Sequence, residues 1–209
     1  MSGLDPFGEL PPGLDIMKRS ENEPGKHRTH RPYLDALGNI WASNGIIGLT
    51  KLDPRTAQFS HYPLGTDENN RPVDMYGRKK GDPQSIWQYI FPHDITVAPD
   101  GDVWWAEFQG QHIGRLDPKT GAIKRYPIDP KGLIVDEKGN AGNARGHTPR
   151  VDSKGNVWFT VIRGNKIGRW DRVTEKIDLW EIPTSNSFPY GMHITPDDRI
   201  WFAELLGCA

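Results

Sequence analysis

The chain has one cysteine, Cys208, in 209 residues. That excludes an intrachain disulfide framework and leaves the compartment open. No apolar run approaches the roughly 20 residues of a membrane span. Net charge is almost absent, with 26 Lys and Arg against 27 Asp and Glu. A nucleic-acid binder would show a basic stripe, and there is none. The short run Arg78-Lys79-Lys80 lies in a turn-rich stretch and reads as solvated. A Gly-rich phosphate loop, a nucleophile elbow and a cysteine pair are missing as well. Met1-Ser2-Gly3-Leu4 opens the chain without a charged, then apolar, leader. A periplasmic or secreted location is expected if an upstream signal is missing, and a cytoplasmic one otherwise. What abounds is tryptophan, glycine and proline, at 8, 23 and 18 residues. Such a composition favours many turns and aromatic packing over long helices.

One block recurs. Ile95-Thr96-Val97-Ala98-Pro99-Asp100-Gly101-Asp102-Val103-Trp104 is echoed by Pro149–Trp158, by Met192–Trp201 and, more weakly, by Pro32–Trp41. Each copy is a short apolar strand, an Asp/Gly turn and a second strand carrying Trp. Two further landmarks hold the phase. One is Gly48-Leu49-Thr50-Lys51-Leu52-Asp53, Ile113-Gly114-Arg115-Leu116-Asp117 and Ile167-Gly168-Arg169-Trp170-Asp171. The other is Tyr62-Pro63, Tyr126-Pro127 and Ile182-Pro183. The uninterrupted period, from Trp158 to Trp201, is 43 residues. Earlier periods are lengthened by turn-rich insertions near 66–84 and 129–145. A unit of this kind cannot bury both of its faces and must stack on its own copies.

Four antiparallel strands in about 40 residues predict an all-β chain built of β-propeller blades. About three blades are whole and a fourth is truncated. The expected bounds are an extension or remnant of a preceding blade at 1–26, then a partial propeller over 27–209. Its blades run about 27–90, 91–145, 146–189 and 190–209. Since propellers close with roughly four to eight blades, either missing blades or a second copy are expected to complete the ring. The Trp set reads as packing between blades. Arg115 and Arg169 read as partners in inter-blade ion pairs. His61 and His112 read as solvated, and His27 and His193 as incidental.

Counting back from each Trp exposes candidate chemistry. Eleven residues before Trp41, Trp104 and Trp158 stand His30, His93 and His147, and eleven before Trp201 stands Tyr190. Three residues after the Trp stand Asn44, Glu107, Val161 and Glu204. With a turn at Pro99–Asp102, Val97 faces Trp104 and Asp94 faces Glu107. The inner strand of each blade lines the central channel, so the imidazoles should converge on one mouth. Such groups could bind a metal, act as acid and base near neutral pH, or hydrogen-bond a ligand. A histidine at a strand start can also simply cap loop carbonyls.

The strings Val103-Trp104-Trp105-Ala106-Glu107, Ile200-Trp201-Phe202-Ala203-Glu204, Asn165-Lys166-Ile167-Gly168-Arg169, Pro92-His93-Asp94-Ile95-Thr96 and Pro189-Tyr190-Gly191 resemble the virginiamycin B lyase (streptogramin lyase) family. The resemblance covers about residues 30–209 and implies part of a seven-bladed propeller. It also implies a Mg2+-assisted carbon–oxygen lyase that opens the ester of a cyclic depsipeptide, an antibiotic-resistance chemistry. His93 and His147 match the catalytic histidine position. His30, Tyr190 and Asn44 would line the channel or contact ligand, and Glu107 and Glu204 would be carboxylates for the metal. An acidic residue two before the histidine would be a ligand candidate, but this chain carries Arg28, Phe91 and Arg145 there. The glycine that follows the histidine in the family pattern is here Arg31, Asp94 and Thr148.

A small-molecule ligand or substrate is thus expected, with no nucleic acid and no membrane span. The alternative is a non-catalytic propeller that binds a small molecule, glycan or protein partner through its channel-mouth face. A histidine ring on a propeller axis could also hold a redox-active transition metal.

Overall fold

The computed structural model describes residues 29–44, 48–62, 64, 92–108, 111–131, 134 and 144–207. They form fourteen strands in two compact units, Met1–Gln88 and Tyr89–Ala209. The first unit holds one antiparallel meander of β1 (Thr29–Leu34), β2 (Ile40–Asn44), β3 (Gly48–Asp53) and β4 (Gln58–Tyr62), in spatial order. The second holds two such meanders and a hairpin. These are β5 (Pro92–Val97) to β8 (Ile123–Pro127), through β6 (Val103–Glu107) and β7 (His112–Leu116), and β9 (Gly146–Val151) to β12 (Ile177–Glu181), through β10 (Val157–Val161) and β11 (Lys166–Trp170). The hairpin pairs β13 (Pro189–Ile194) with β14 (Ile200–Glu204). Each four-stranded sheet is a propeller blade. None of the described residues forms a helix long and apolar enough to cross a membrane.

In the second unit β5 and β6 are buried on both faces, whereas β8 and β12 hold no buried residue. With both faces of the strand covered, β6 reads as a near-continuous apolar run rather than an alternation. Trp104, Phe159, Val157, Val161 and Trp170 share one cluster with Ala106, Ile113 and Ile128, so the two whole blades of this unit are glued face to face. The Trp104 and Trp170 rings lie 4.4 Å apart. A smaller cluster of Ile167, Ile182 and Met192 joins the second blade to the hairpin.

The Trp positions do not all become core. Trp41, Trp104 and Trp105 are buried, but Trp180 is 44% and Trp201 63% exposed. Trp158 stacks on Trp180 at 5.4 Å, and the Arg169 guanidinium covers both rings. The expected inter-blade role of the two arginines holds only in part. Arg115 pairs with Asp102 of its own sheet and reaches Glu175 of the next blade at 4.0 Å. Arg169 pairs with Asp178 and Asp171 of its own sheet. Further bridges between blades run through turns, by Arg172 to Asp100 at 3.2 Å and by Ser153 donating to Asp198.

The glycine of the Ile-Gly-Arg landmark has a steric cause. Gly114 faces Trp105 and Gly168 faces Phe159. A Cβ at either position would run into the opposing ring. In the first unit the same pair is Ala42 and Thr50, with the small residue on the other strand.

The inner turn is held by an aspartate in two of the repeats. Asp152 Oδ1 accepts from the backbone N–H of Lys154 and Asn156, and Oδ2 accepts from Asn156 Nδ2 and, at 2.8 Å, from Trp158 Nε1. Asp35 does the same with Leu37, Asn39 and Trp41. The Trp of the repeat is thus tied to its own turn through the indole N–H. Burial alone would raise the Asp35 carboxyl, but donors from Asn39, Trp41 and the backbone hold it below its ordinary value. A depressed carboxyl stabilises above its unfolded pKa and loses that contribution as pH falls through the folded value. The first unit should therefore lose stability below about pH 4, and Asp35→Asn should flatten that acid limb in thermal melts across pH.

The structure corrects the register of the inner hairpin. Val97 pairs with Val103 and Thr96 with Trp104, while Pro92, not Asp94, stands opposite Glu107. The connection is a five-residue loop closed by Ala98 N–H to Asp102 O at 2.8 Å, with Gly101 at φ 96°. That loop is one residue longer than the Pro99–Asp102 turn expected from sequence, which shifts the pairing by one, and the irregularity between Pro92 and Asp94 shifts the partner of Glu107 by one more.

Candidate channel-mouth site

Each inner strand of the second unit carries its phase-matched ring at its second position: His93 on β5, His147 on β9 and Tyr190 on β13. β9 packs between β5 and β13, so the rings pack in sequence, each tilted against the next. The His93 and His147 centroids are 4.2 Å apart, His147 and Tyr190 3.9 Å, and His93 and Tyr190 6.3 Å. His147 is the centre of the group and is fully buried, and His93 is 7% exposed. Phe108, just past β6, stacks on His93 at 4.8 Å and meets His147 edge-on at 6.0 Å. The Arg145 guanidinium covers the Phe108 ring at 5.1 Å. Burial and the nearby Arg163 both disfavour the charge on Arg145.

A recurrent backbone irregularity aims these side chains. The pairing register jumps just after the ring position in β5, β9 and β13 alike, and also in β1 after His30. An extra residue in one strand of a pair bends it and re-aims a side chain. The residue after the ring adopts a left-handed φ of 34° at both Arg31 and Thr148. At the same position of β5 and β13, Asp94 and Gly191 keep a negative or extended φ. Thr148 is fully buried, and its Oγ1 lies 2.6 Å from His147 Nδ1.

Polar ties fix the strands around the rings. Thr160 on β10 donates its hydroxyl to the Tyr190 carbonyl at 2.8 Å. Asp94, beside His93, accepts from the Ile95 N–H and lies 3.8 Å from Arg150 of β9. Arg150 also donates to the Pro149 carbonyl.

The remaining sequence candidates are placed differently. His30 and Asn44 stand on β1 and β2 of the first unit, and their side chains lie outside the described residues, as do Arg28 and Phe91. Glu107 is fully buried, with both carboxylate oxygens taken by Arg125 at 2.6 and 2.5 Å. Trp105 Nε1 donates to it at 3.4 Å, and His112 Nδ1 lies 3.5 Å away. His112 is thus half-buried beside a carboxylate rather than solvated. Glu204 is half-buried against Gly207. Among the described residues no group of three or more His, Cys, Asp or Glu is arranged to hold a metal ion. With Glu107 committed to a guanidinium, the two carboxylates named from sequence do not build a Mg2+ site with the described donors.

Sequence reasoning missed Phe108, Thr160 and Arg125. Phe108 directly follows the phase-matched Glu107 and could have been found by extending the repeat by one residue. Thr160 and Arg125 carry no sequence signal, because their partners lie 30 and 18 residues away.

Fold and site together define a propeller whose inner strands present closely packed imidazole and phenol rings in one repeat phase. Residues 90–208, more than half of the chain, match the model of the virginiamycin B lyase family, and the chain belongs to that family. It is 27% identical over 115 residues to a virginiamycin B lyase of Nocardia farcinica (strain IFM 10152), covering 54% of this chain and 34% of that one. Its fold is similar to that of the Staphylococcus aureus virginiamycin B lyase, with a TM-score of 0.64 and 21% identity over 87% of this chain and 50% of that one. A catalytically inactive histidine-to-alanine form of the Staphylococcus aureus enzyme, solved with quinupristin, matches equally well. A streptogramin B lyase structure matches with a TM-score of 0.52 and 25% identity, over 87% of this chain and 64% of that one. The chain therefore spans between a third and two thirds of the length of these relatives.

Proposed function

We propose that the protein is a carbon–oxygen lyase that opens the ester of a cyclic depsipeptide by elimination, with His93 and His147 as its acid–base pair. The observation that carries this reading is the close packing of the buried His93 and His147 rings with each other and with the half-buried Tyr190. Two imidazoles in contact can hold and pass one proton near neutral pH, which is what general acid–base chemistry requires. In the reaction one imidazole takes a proton from the carbon next to the carbon that bears the ester oxygen. The C–H electron pair forms a C=C bond, the C–O bond breaks, and the ester departs as a carboxylate. No water is consumed. Burial of the rings by Phe108 and Tyr190 supports this by keeping water from competing. The inactivity of the histidine-to-alanine Staphylococcus aureus enzyme supports a histidine in the central role. Magnesium, which the family resemblance implies, would need ligands beyond the described set, so no step is routed through it.

The test is incubation of the protein with a streptogramin B, with and without added Mg2+, followed by mass spectrometry. Elimination gives a linear product of unchanged mass, whereas hydrolysis adds the mass of a water. His147→Ala should abolish the product, and His93→Ala should lower its rate. Absence of any linear product, with protein shown to be folded, would remove the lyase reading.

One observation favours the alternative, a binding propeller. Both imidazoles are almost wholly covered by other rings, as they would be in a rim that shapes a ligand face without reacting. Binding of a streptogramin B in calorimetry without turnover would select that reading.

A further inference from the structure

We infer that Thr148 is a positioning residue that fixes the tautomer of His147, with Nδ1–H donating to the threonine hydroxyl and Nε2 left to carry the lone pair. Three features converge. The hydroxyl oxygen lies 2.6 Å from Nδ1, within the range of a strong hydrogen bond. Both residues are fully buried, so water does not compete for that nitrogen. The backbone of Thr148 sits at φ 34°, in a region that β-branched residues almost never occupy. Glycine would relieve that conformation. Only a side chain with a hydroxyl or similar group gains the contact to Nδ1. Strain held in place by packing concentrates where side chains must be aimed. The partner of one ring nitrogen decides what the other can do. Engaging Nδ1 as a donor leaves Nε2 able to accept a proton. The hydrogen bond stands on geometry alone, whereas the choice of which atom donates rests on the lyase reading.

The test is 15N NMR of histidine-labelled protein at neutral pH, resolving which nitrogen of His147 carries the proton. The wild type and Thr148→Ser are expected to show the proton on Nδ1. Thr148→Val keeps the shape and loses the hydroxyl, and should move the proton to Nε2, the ordinary preference of a free imidazole. Thr148→Gly also lacks the hydroxyl but relaxes the backbone. It should show the same change of tautomer with a higher melting temperature than Thr148→Val, and it answers the question if the valine variant does not fold. A wild-type proton on Nε2, or a tautomer unchanged in both Val and Gly variants, would overturn the inference. The NMR result is independent of turnover. An Nδ1–H tautomer in a protein that makes no linear product would leave Thr148 as the positioning residue while ending the lyase reading.

Discussion

Arg125→Ala is expected to destabilise the second unit by about 3–5 kcal/mol, the range for orphaning one half of a buried ion pair. Its partner Glu107 is wholly inaccessible and receives both of the guanidinium's hydrogen bonds. Without Arg125 the carboxylate keeps only the long contact from Trp105 Nε1 and the neighbouring His112. The reverse substitution should cost less. Arg125 is 20% exposed, so with Glu107→Ala its flexible stem can carry the charge toward water. An asymmetry of at least about 1 kcal/mol between the two single variants follows from which partner can regain hydration. Urea unfolding of both singles and of the double variant would measure it. Equal costs, or a cost under about 1 kcal/mol for Arg125→Ala, the level of an exposed pair, would show that the carboxylate is solvated or protonated in the fold.

The same pair shows where sequence stops being informative. The repeat phase placed Glu107 at the end of β6 correctly, because strand position follows from the Trp landmark. Its partner lies two strands away on β8 and follows no repeat. Nothing in the order of residues distinguishes a carboxylate that waits for a metal from one already neutralised by arginine. The fold was more legible. Four strands per period, the apolar inner strands and the glycine opposite a large ring are all local patterns, and stacking of repeats converts them directly into blades. The register error had local causes too, since one extra residue in the Ala98–Asp102 loop moves the pairs from Val97 to Asp94 by one, and the irregularity between Pro92 and Asp94 moves the partner of Glu107 by one more. The juxtaposition of His93, His147 and Tyr190 needed only equal phase on neighbouring inner strands. Their aim needed the register shift that follows each ring, which cannot be read from residue types.

The second large effect concerns the exchange of size between strands. Trp105 is fully buried and occupies the space above Gly114. Trp105→Ala should cost about 3–5 kcal/mol, through lost burial and the cavity left behind. Gly114→Thr alone should also be severely destabilising, because its Cβ would enter the indole ring and a fully packed core cannot yield that space. The first unit shows a native solution with the sizes reversed, since Ala42 stands opposite Thr50 in the same repeat phase. Trp105→Ala combined with Gly114→Thr should therefore be more stable than the sum of its parts by at least about 1–3 kcal/mol, the coupling expected of residues that share one space. Trp105 is wholly buried, and alanine and threonine together do not refill the volume of the indole, so the double variant should not recover wild-type stability. Additive losses in thermal or urea unfolding would mean that the ring, rather than the glycine's missing side chain, sets the spacing of these strands. A positive coupling would identify the Trp-to-Gly pair as the element that fixes blade thickness, and would predict the same behaviour at Phe159 and Gly168.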